Sequence, residues 1–97
     1  MSNTIGDNGS KRRDRHDIMA EILTTAKDGK IKTHIMYKCN LSFKQLHVYL
    51  DYLIERKLLE SVPAKTGEKS NSTMYETTGK GRAFIRAYHS MRVILSG

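Results

Sequence analysis

The chain has 97 residues, enough for one small domain with a modest core but not for a second domain. Its 17 Lys and Arg against 10 Asp and Glu give a formal net charge of +7 and a pI near 9.7, which indicates a polyanionic partner, nucleic acid or an acidic membrane surface. The single cysteine, Cys39, excludes an internal disulfide, and no apolar run reaches the ~20 residues of a membrane span. These features predict a soluble, cytoplasmic protein.

The N-terminal part predicts a tail, a basic arm and one amphipathic helix. Residues 1–10 are mostly Ser, Asn, Gly and Asp, too polar to offset their ordering entropy, so we expect a disordered tail. The basic arm, Arg12, Arg13 and Arg15, is either a contact to the minor groove or to phosphates, or a charged, unbound segment. The helix then ends near Gly29. Its apolar residues at helical spacing are Ile18, Met19, Ile22, Leu23 and Ala26.

A strand stub and a short helix follow. Residues 30–32 alternate polar and apolar and are too few for more than a stub of strand. Thr33 is the expected N-cap of the second helix, which runs to Cys39 and stops at a turn through Asn40.

A third helix is expected from Ser42 to Glu55. Ser42 followed three residues later by Gln45 is a capping-box pattern. Helical periodicity divides the segment into two faces. The core face is expected to hold Phe43, Leu46, Leu50, Leu53 and Ile54, and the outer face Lys44, Gln45, Val48, Asp51, Tyr52 and Glu55. Two helices joined so tightly, with a polar outer face on the second, indicate a helix-turn-helix.

The outer face of this third helix has side chains suited to base contacts. Lys44 suits guanine, Gln45 suits adenine, and Val48 suits a thymine methyl group. His47 flanks the same face. The alternative is an ordinary solvated helix surface, on which a single exposed valine needs no function.

The next segment predicts a β-hairpin. Residues 58–62 form its first strand, with Pro63 near the end, as expected of an edge strand. Residues 65–72 contain no apolar side chain and form the loop, and residues 73–77 form the return strand. Lys65, Lys69, Ser70 and Asn71 in the loop are candidates for gripping phosphate, although any hairpin tip is polar.

The last helix begins after Thr77 or Thr78. Its stripe at intervals of four, three and four residues is of coiled-coil type and predicts a homodimer. The expected interface is Phe84, Tyr88, Met91, Ile94 and Leu95. The resulting order is α-β-α-α-β-β-α, an α+β fold that is mostly helical. Its expected divisions are a tail at 1–10, a domain at 11–78 and a dimerisation helix at 79–97.

Two stretches carry a resemblance to a known family. They are Thr33 to Leu46, which contains His-Ile-Met-Tyr-Lys and Asn-Leu-Ser-Phe-Lys-Gln-Leu, and Tyr75-Glu-Thr-Thr-Gly-Lys-Gly81. The chain resembles the small archaeal winged-helix DNA-binding proteins, above all the ten-kilodalton chromatin-associated ones.

The resemblance implies that the third helix enters the major groove, that the hairpin loop contacts the backbone, and that the last helix pairs with its copy. It also implies double-stranded DNA as partner and a nucleoid-associated location. The expected DNA-binding residues are Arg12, Arg13, Arg15, Lys32, Thr33, Ser42, Lys44, Gln45, His47, Val48, Lys65, Lys69, Ser70 and Asn71.

Catalysis, a cofactor and a metal site are not expected. The sequence has no glycine-rich phosphate loop, serine elbow or paired carboxylates, and its four histidines lack ligand spacing. The functions left open are a transcription regulator, a chromatin component, and a protein-docking module that uses the acidic Asp51 and Glu55.

Overall fold

The computed structural model describes residues 13–63 and 73–96. Within them the predicted α-β-α-α-β-β-α order is confirmed. The elements are α1 Arg15–Thr25, β1 Lys30–Ile31, α2 Lys32–Lys38, α3 Phe43–Glu55, β2 Leu59–Pro63, β3 Thr73–Thr77 and α4 Gly79–Ser96. The tail at 1–10 and the hairpin loop at 65–72 lie outside the described residues.

Helix α1 is fixed at its start by a capping box. The Asp14 carboxylate accepts the Asp17 backbone N–H at 2.9 Å, and the Asp17 carboxylate accepts the Asp14 N–H at 3.0 Å. The helix ends at Thr25, and the chain turns through Gly29, whose φ of +87° lies in the left-handed region that suits glycine. The helix therefore ends four residues before Gly29, with Ala26 as its C-cap, and Gly29 shapes the turn that leads into β1.

The start of α2 corrects the prediction for Thr33. The N-cap lies two residues earlier, at Ile31, which makes no side-chain capping bond, and the helix begins at Lys32. Ile31 is already extended because it pairs with Met74 of β3, so the chain passes from strand to helix without a polar cap. The turn after α2 is as expected, with Asn40 at a φ of +55°.

The three strands form an antiparallel sheet of order β1-β3-β2. Tyr75 in the central strand lies opposite Lys30 on one side and Ser61 on the other. Pro63 ends β2, which is an edge strand, as its missing N–H requires. The sheet and the start of α4 pack against the helices and complete the core.

The core combines α1, α2, α3, the sheet and the first half of α4. Its most deeply buried side chains are Ile22, Leu23, Ile35, Leu46, Leu53, Leu59 and Cys39. Cys39 is thus a small core residue. Burial raises the pKa of its thiol, and the hydrogen bond with the Thr25 hydroxyl offsets only part of this, so the thiol stays protonated at neutral pH.

Phe43 departs from its predicted place on the core face, since 58% of it is exposed. It is the first residue of α3, and helical side chains lean toward the helix N-terminus. Its ring therefore projects beyond the last layer of the core. Ile54, also assigned to the core face, and Tyr52, assigned to the outer face, are both half-buried at the borders between the two.

Helix α4 meets the domain through a close backbone contact. A Cβ on Gly81 would lie 2.3 Å from the Leu58 carbonyl oxygen, so only glycine fits there. The Thr78 hydroxyl accepts the Gly81 N–H at 3.0 Å and donates to the Lys57 carbonyl at 2.7 Å, so of the two expected positions, Thr77 and Thr78, it is Thr78 that caps the helix. These contacts hold the first turn of α4 against the end of α3.

None of the described helices is long and apolar enough to cross a membrane.

Candidate nucleic-acid interface

Helices α2 and α3 are joined by a four-residue turn and present the outer face of α3 to solvent. Lys44, Gln45 and Val48 on that face are exposed, Val48 by 62%, as predicted. Asp51 and Glu55 are exposed farther along the helix. Cationic and hydrogen-bonding groups therefore lie at the start of α3 and carboxylates at its end, an arrangement that favours a polyanion at the start only.

The start of α3 is held by the predicted capping box. The Ser42 hydroxyl accepts the Gln45 N–H at 3.1 Å, and Gln45 Oε1 accepts the Ser42 N–H at 2.9 Å. The Gln45 amide oxygen is thus occupied within the protein, whereas its NH₂ group is left as a donor. A glutamine that contacts adenine in the usual bidentate way needs both groups.

One flank of the outer face carries a cluster that the sequence prediction missed. The Phe43 ring meets the His47 ring edge-on at 4.4 Å between centroids, and Lys32 Nζ lies 5.5 Å from the Phe43 centroid. Lys32 Nζ also lies 3.5 Å from His47 Nε2. The structure thus brings the predicted residues Lys32 and His47 together around an exposed aromatic ring. The only sequence signal was the position of Phe43 directly after the N-cap.

The opposite flank is formed by α1. Arg15 is exposed there and lines one groove together with Lys44, Gln45 and Val48. Arg15 of the predicted basic arm therefore lies next to the outer face of α3.

Arg13 occupies a different place from the expected free arm. Its guanidinium donates to the carbonyl oxygens of Cys39 and of Asn40, the latter at 3.2 Å, and pairs with the Glu21 carboxylate. These carbonyls end α2, where a cation is favoured by the helix dipole. Arg13 thus ties α1 to the turn between α2 and α3.

The remaining predicted contacts divide between the described and the undescribed parts of the chain. Thr33 is exposed at the start of α2, and the neighbouring His34 and Tyr37 are exposed on the same helix, Tyr37 by 78%. Arg12, Lys65, Lys69, Ser70 and Asn71 lie outside the described residues. Across 13–63 and 73–96, the structure contains no group of three His, Cys, Asp or Glu side chains able to hold a metal ion.

The predicted dimer stripe divides into two halves. Phe84 and Tyr88 are half-buried, beside the buried Ile85 outside the stripe, whereas Met91 is 44% exposed. Ile94 and Leu95 are 76% and 74% exposed. The second half of α4 is therefore an apolar helix surface that the described residues leave exposed.

The comparisons with known proteins agree with this geometry. Residues 12–96 match a family model described as winged helix-turn-helix. An uncharacterised protein of Methanocaldococcus jannaschii is 33% identical over 82 residues, and the match covers 78% of this chain and 84% of that protein.

Solved structures show the same fold. Sso10a-2, a DNA-binding protein from Sulfolobus solfataricus, has a TM-score of 0.75 at 21% identity and covers 87% of this chain and 83% of its own. A MarR mutant from E. coli complexed with operator DNA has a TM-score of 0.64 at 16% identity, over 77% of this chain and 51% of its own. A MepR mutant from S. aureus bound to an oligodeoxyribonucleotide has a TM-score of 0.68 at 14% identity, over 84% and 57% respectively.

Proposed function

This chain belongs to the winged helix-turn-helix family, and we propose that it binds double-stranded DNA without catalysis or a cofactor. The observation that carries the proposal is the exposed start of α3, where Lys44, Gln45 and Val48 project from a helix that is capped and held by α1 and α2. In helix-turn-helix proteins the second helix lies in the major groove and contacts bases through its N-terminal residues. We call α3 the recognition helix.

Each face of the recognition helix has its own role in this proposal. Lys44 and Val48 contact base edges, while Gln45 offers its NH₂ group and keeps its oxygen on the cap. Phe43 lies against a sugar or a thymine methyl group. Phosphates are held by Arg15, Lys32 and His47 on the flanks of that helix, and by Thr33 and Ser42 at the starts of α2 and α3. The wing residues Lys65, Lys69, Ser70 and Asn71, and Arg12, are proposed as further phosphate contacts.

Arg13 supports DNA binding indirectly in this proposal. By bonding the carbonyls of Cys39 and Asn40, it fixes the angle between α2 and the recognition helix. Asp51 and Glu55 limit close contact to the first half of that helix, because carboxylates repel phosphates.

We also propose a homodimer through residues 79–97, with residues 11–78 as the DNA-binding unit. The apolar second half of α4 supports this, since the described residues leave Met91 partly exposed and Ile94 and Leu95 largely exposed. Two recognition helices would then engage successive major grooves about 34 Å apart.

The biological role that fits these features is a transcription regulator or a chromatin component within the nucleoid. The two roles use the same surface and differ in specificity. A regulator binds its operator ~10³-fold or more tightly than random duplex, whereas a chromatin protein shows a small ratio.

The test is binding to a random-sequence duplex, measured by fluorescence anisotropy at low and at moderate salt. We expect binding that Lys44→Ala with Gln45→Ala weakens at least tenfold, while Arg86→Ala on the exposed side of α4 is the matched control and leaves it unchanged. Absence of binding at low salt, with the protein folded, would contradict the proposal and leave protein docking as the function.

A further inference from the structure

A groove of about 500 Å³ runs between α1 and the recognition helix. Sites for small molecules commonly have volumes of about 300–1,000 Å³, so the groove is large enough for one. It lies beside the outer face of the recognition helix and shares Lys44, Gln45 and Val48 with it.

The walls of the groove are mainly apolar and aromatic. Met19 of α1 is buried at its base, and Tyr49 and Tyr52 of the recognition helix are half-buried along it. The Arg56 guanidinium lies 3.8 Å from the centroid of the Tyr52 ring and limits the movement of that ring. Such a surface favours a flat apolar body over a polar one.

The charges on the groove all have one sign. Arg15 and Lys44 line it, and no carboxylate of the described residues does. Within residues 13–63 and 73–96 neither cation takes part in an ion pair, so both are available to a ligand. A carboxylate on a flat apolar body would satisfy both the cations and the apolar wall.

We propose that this groove binds a small organic anion with an aromatic or similarly flat apolar body, and that the bound anion excludes DNA. The exclusion follows because Lys44, Gln45 and Val48 belong to both surfaces, so this part rests on the proposed function. The ligand site itself does not. A free phosphate or a stretch of sugar-phosphate would use the two cations but would leave the apolar wall unused.

The site can be tested on the free protein with 2-naphthoate as probe. Methionine methyl groups labelled with ¹³C report the location, because Met19 lines the groove whereas Met36, Met74 and Met91 lie elsewhere in the described structure. We expect saturable ring-current shifts at Met19 alone. 2-Naphthylmethanol, which lacks the charge, and acetate, which lacks the rings, should each bind at least tenfold more weakly.

Variants then assign the charge recognition. Arg15→Gln with Lys44→Gln should bring naphthoate binding down to the level of the neutral alcohol, and Lys38→Gln, an exposed lysine on α2, should leave it unchanged. The site would be overturned by a shift at Met91 equal to that at Met19, or by no shift at Met19 at millimolar probe. It would also be overturned if the alcohol, acetate or phosphate bound as tightly as 2-naphthoate.

Competition with DNA tests the exclusion. At a naphthoate concentration ten times its own Kd and at constant ionic strength, the apparent Kd for duplex should rise about elevenfold. Naphthoate binding at Met19 without any DNA binding would contradict the proposed function and not the ligand site. DNA binding that is unaffected by saturating naphthoate would overturn the exclusion.

Discussion

The Tyr88 hydroxyl donates a hydrogen bond to the Asp17 carboxylate, which joins the middle of α4 to the first turn of α1. Arg92, one turn farther along α4, contacts the same carboxylate oxygen at 3.1 Å. Burial raises the pKa of Asp17, but the Tyr88 hydroxyl, the Asp14 amide and the Arg92 charge together outweigh it, so this pKa lies below its ordinary 3.8. Burial and the hydrogen bond to Asp17 raise the pKa of Tyr88.

The Asp17 contacts predict an acid-sensitive junction. Because the pKa is lowered in the folded state, ionised Asp17 stabilises the protein at neutral pH, and this stabilisation is lost as the pH falls below about 4. Asp17→Asn should lower the free energy of unfolding at pH 7 and flatten its decline below pH 4. Urea unfolding between pH 3 and 7 measures both, with the exposed Asp51→Asn as control. If the free energy of unfolding of Asp17→Asn declined below pH 4 as steeply as that of the unmodified protein, the prediction would be wrong.

The glycines at the start of α4 form a matched pair. Gly81→Ala should destabilise the fold by about 2 kcal/mol or more, since the new methyl group meets the Leu58 carbonyl and the Thr77 methyl group. Gly79→Ala should be neutral or slightly stabilising, because nothing lies within 4 Å of its Cβ and alanine favours helix. Thermal unfolding of both variants is the measurement, and equal melting temperatures would refute the close contact.

The stability of a Phe43 variant tests whether this residue belongs to the core or to the surface. Phe43→Ser should lower the free energy of unfolding by only about 1 kcal/mol, the value of its contacts with His47 and Lys32. A buried phenylalanine would cost about 3–5 kcal/mol on truncation. The control is Leu46→Ala in the core, expected to cost about 2–5 kcal/mol. If denaturant titrations showed a comparable loss in the free energy of unfolding for both variants, Phe43 would be a core residue after all.

DNA binding should depend steeply on salt. With roughly six phosphate contacts per protomer, the slope of log K against log salt should be about −5, because each contact releases counterions. Replacing Arg15 by Ala should reduce the steepness by about one, whereas Val48→Ala should leave it unchanged. The measurement is anisotropy with a random duplex at several salt concentrations. A slope near zero would remove the electrostatic basis of the proposal.

The distal half of α4 predicts self-association. Burial of Met91, Ile94 and Leu95 at ~1.5–3 kcal/mol each gives about 5–9 kcal/mol before association costs, enough for a moderate dimer. Met91→Glu with Leu95→Glu should yield a folded monomer with weaker DNA binding, while the exposed Ser90→Asp should still dimerise. Light scattering at about 100 μM, well above a Kd of ~10 μM, decides this. A monomeric unmodified protein would rule out the dimer.

Sequence patterns sufficed where one local interaction determines the structure. Ser42 with Gln45 located the start of the recognition helix because a capping box needs only four residues, and Asn40 located the turn before it because few residues accept a positive φ. For the last helix the sequence left Thr77 and Thr78 open, and the bond from the Gly81 N–H to the Thr78 hydroxyl decides for Thr78.

Patterns failed where a partner distant in sequence decides. Helical spacing placed Phe43 toward the core, but periodicity does not show where the core ends along the helix axis. Thr33 has good capping chemistry, yet Ile31, which pairs with Met74, is the N-cap of α2, two residues earlier. The basic cluster did not distinguish Arg13 from Arg15, because the carbonyls that hold Arg13 lie 26 and 27 residues away.

The bond from Gln45 Oε1 to the Ser42 N–H has a consequence for retargeting this surface. If Gln45 turns fully toward an adenine, the recognition helix loses the bond to the Ser42 N–H, and the net loss of one hydrogen bond costs about 0.5–1.5 kcal/mol. Selection for a new base preference at residue 45 would therefore also change the melting temperature, whereas Lys44 and Val48 can vary without that penalty. In a directed-evolution library, residues 44 and 48 should diversify freely, and residue 45 should stay Gln or Glu.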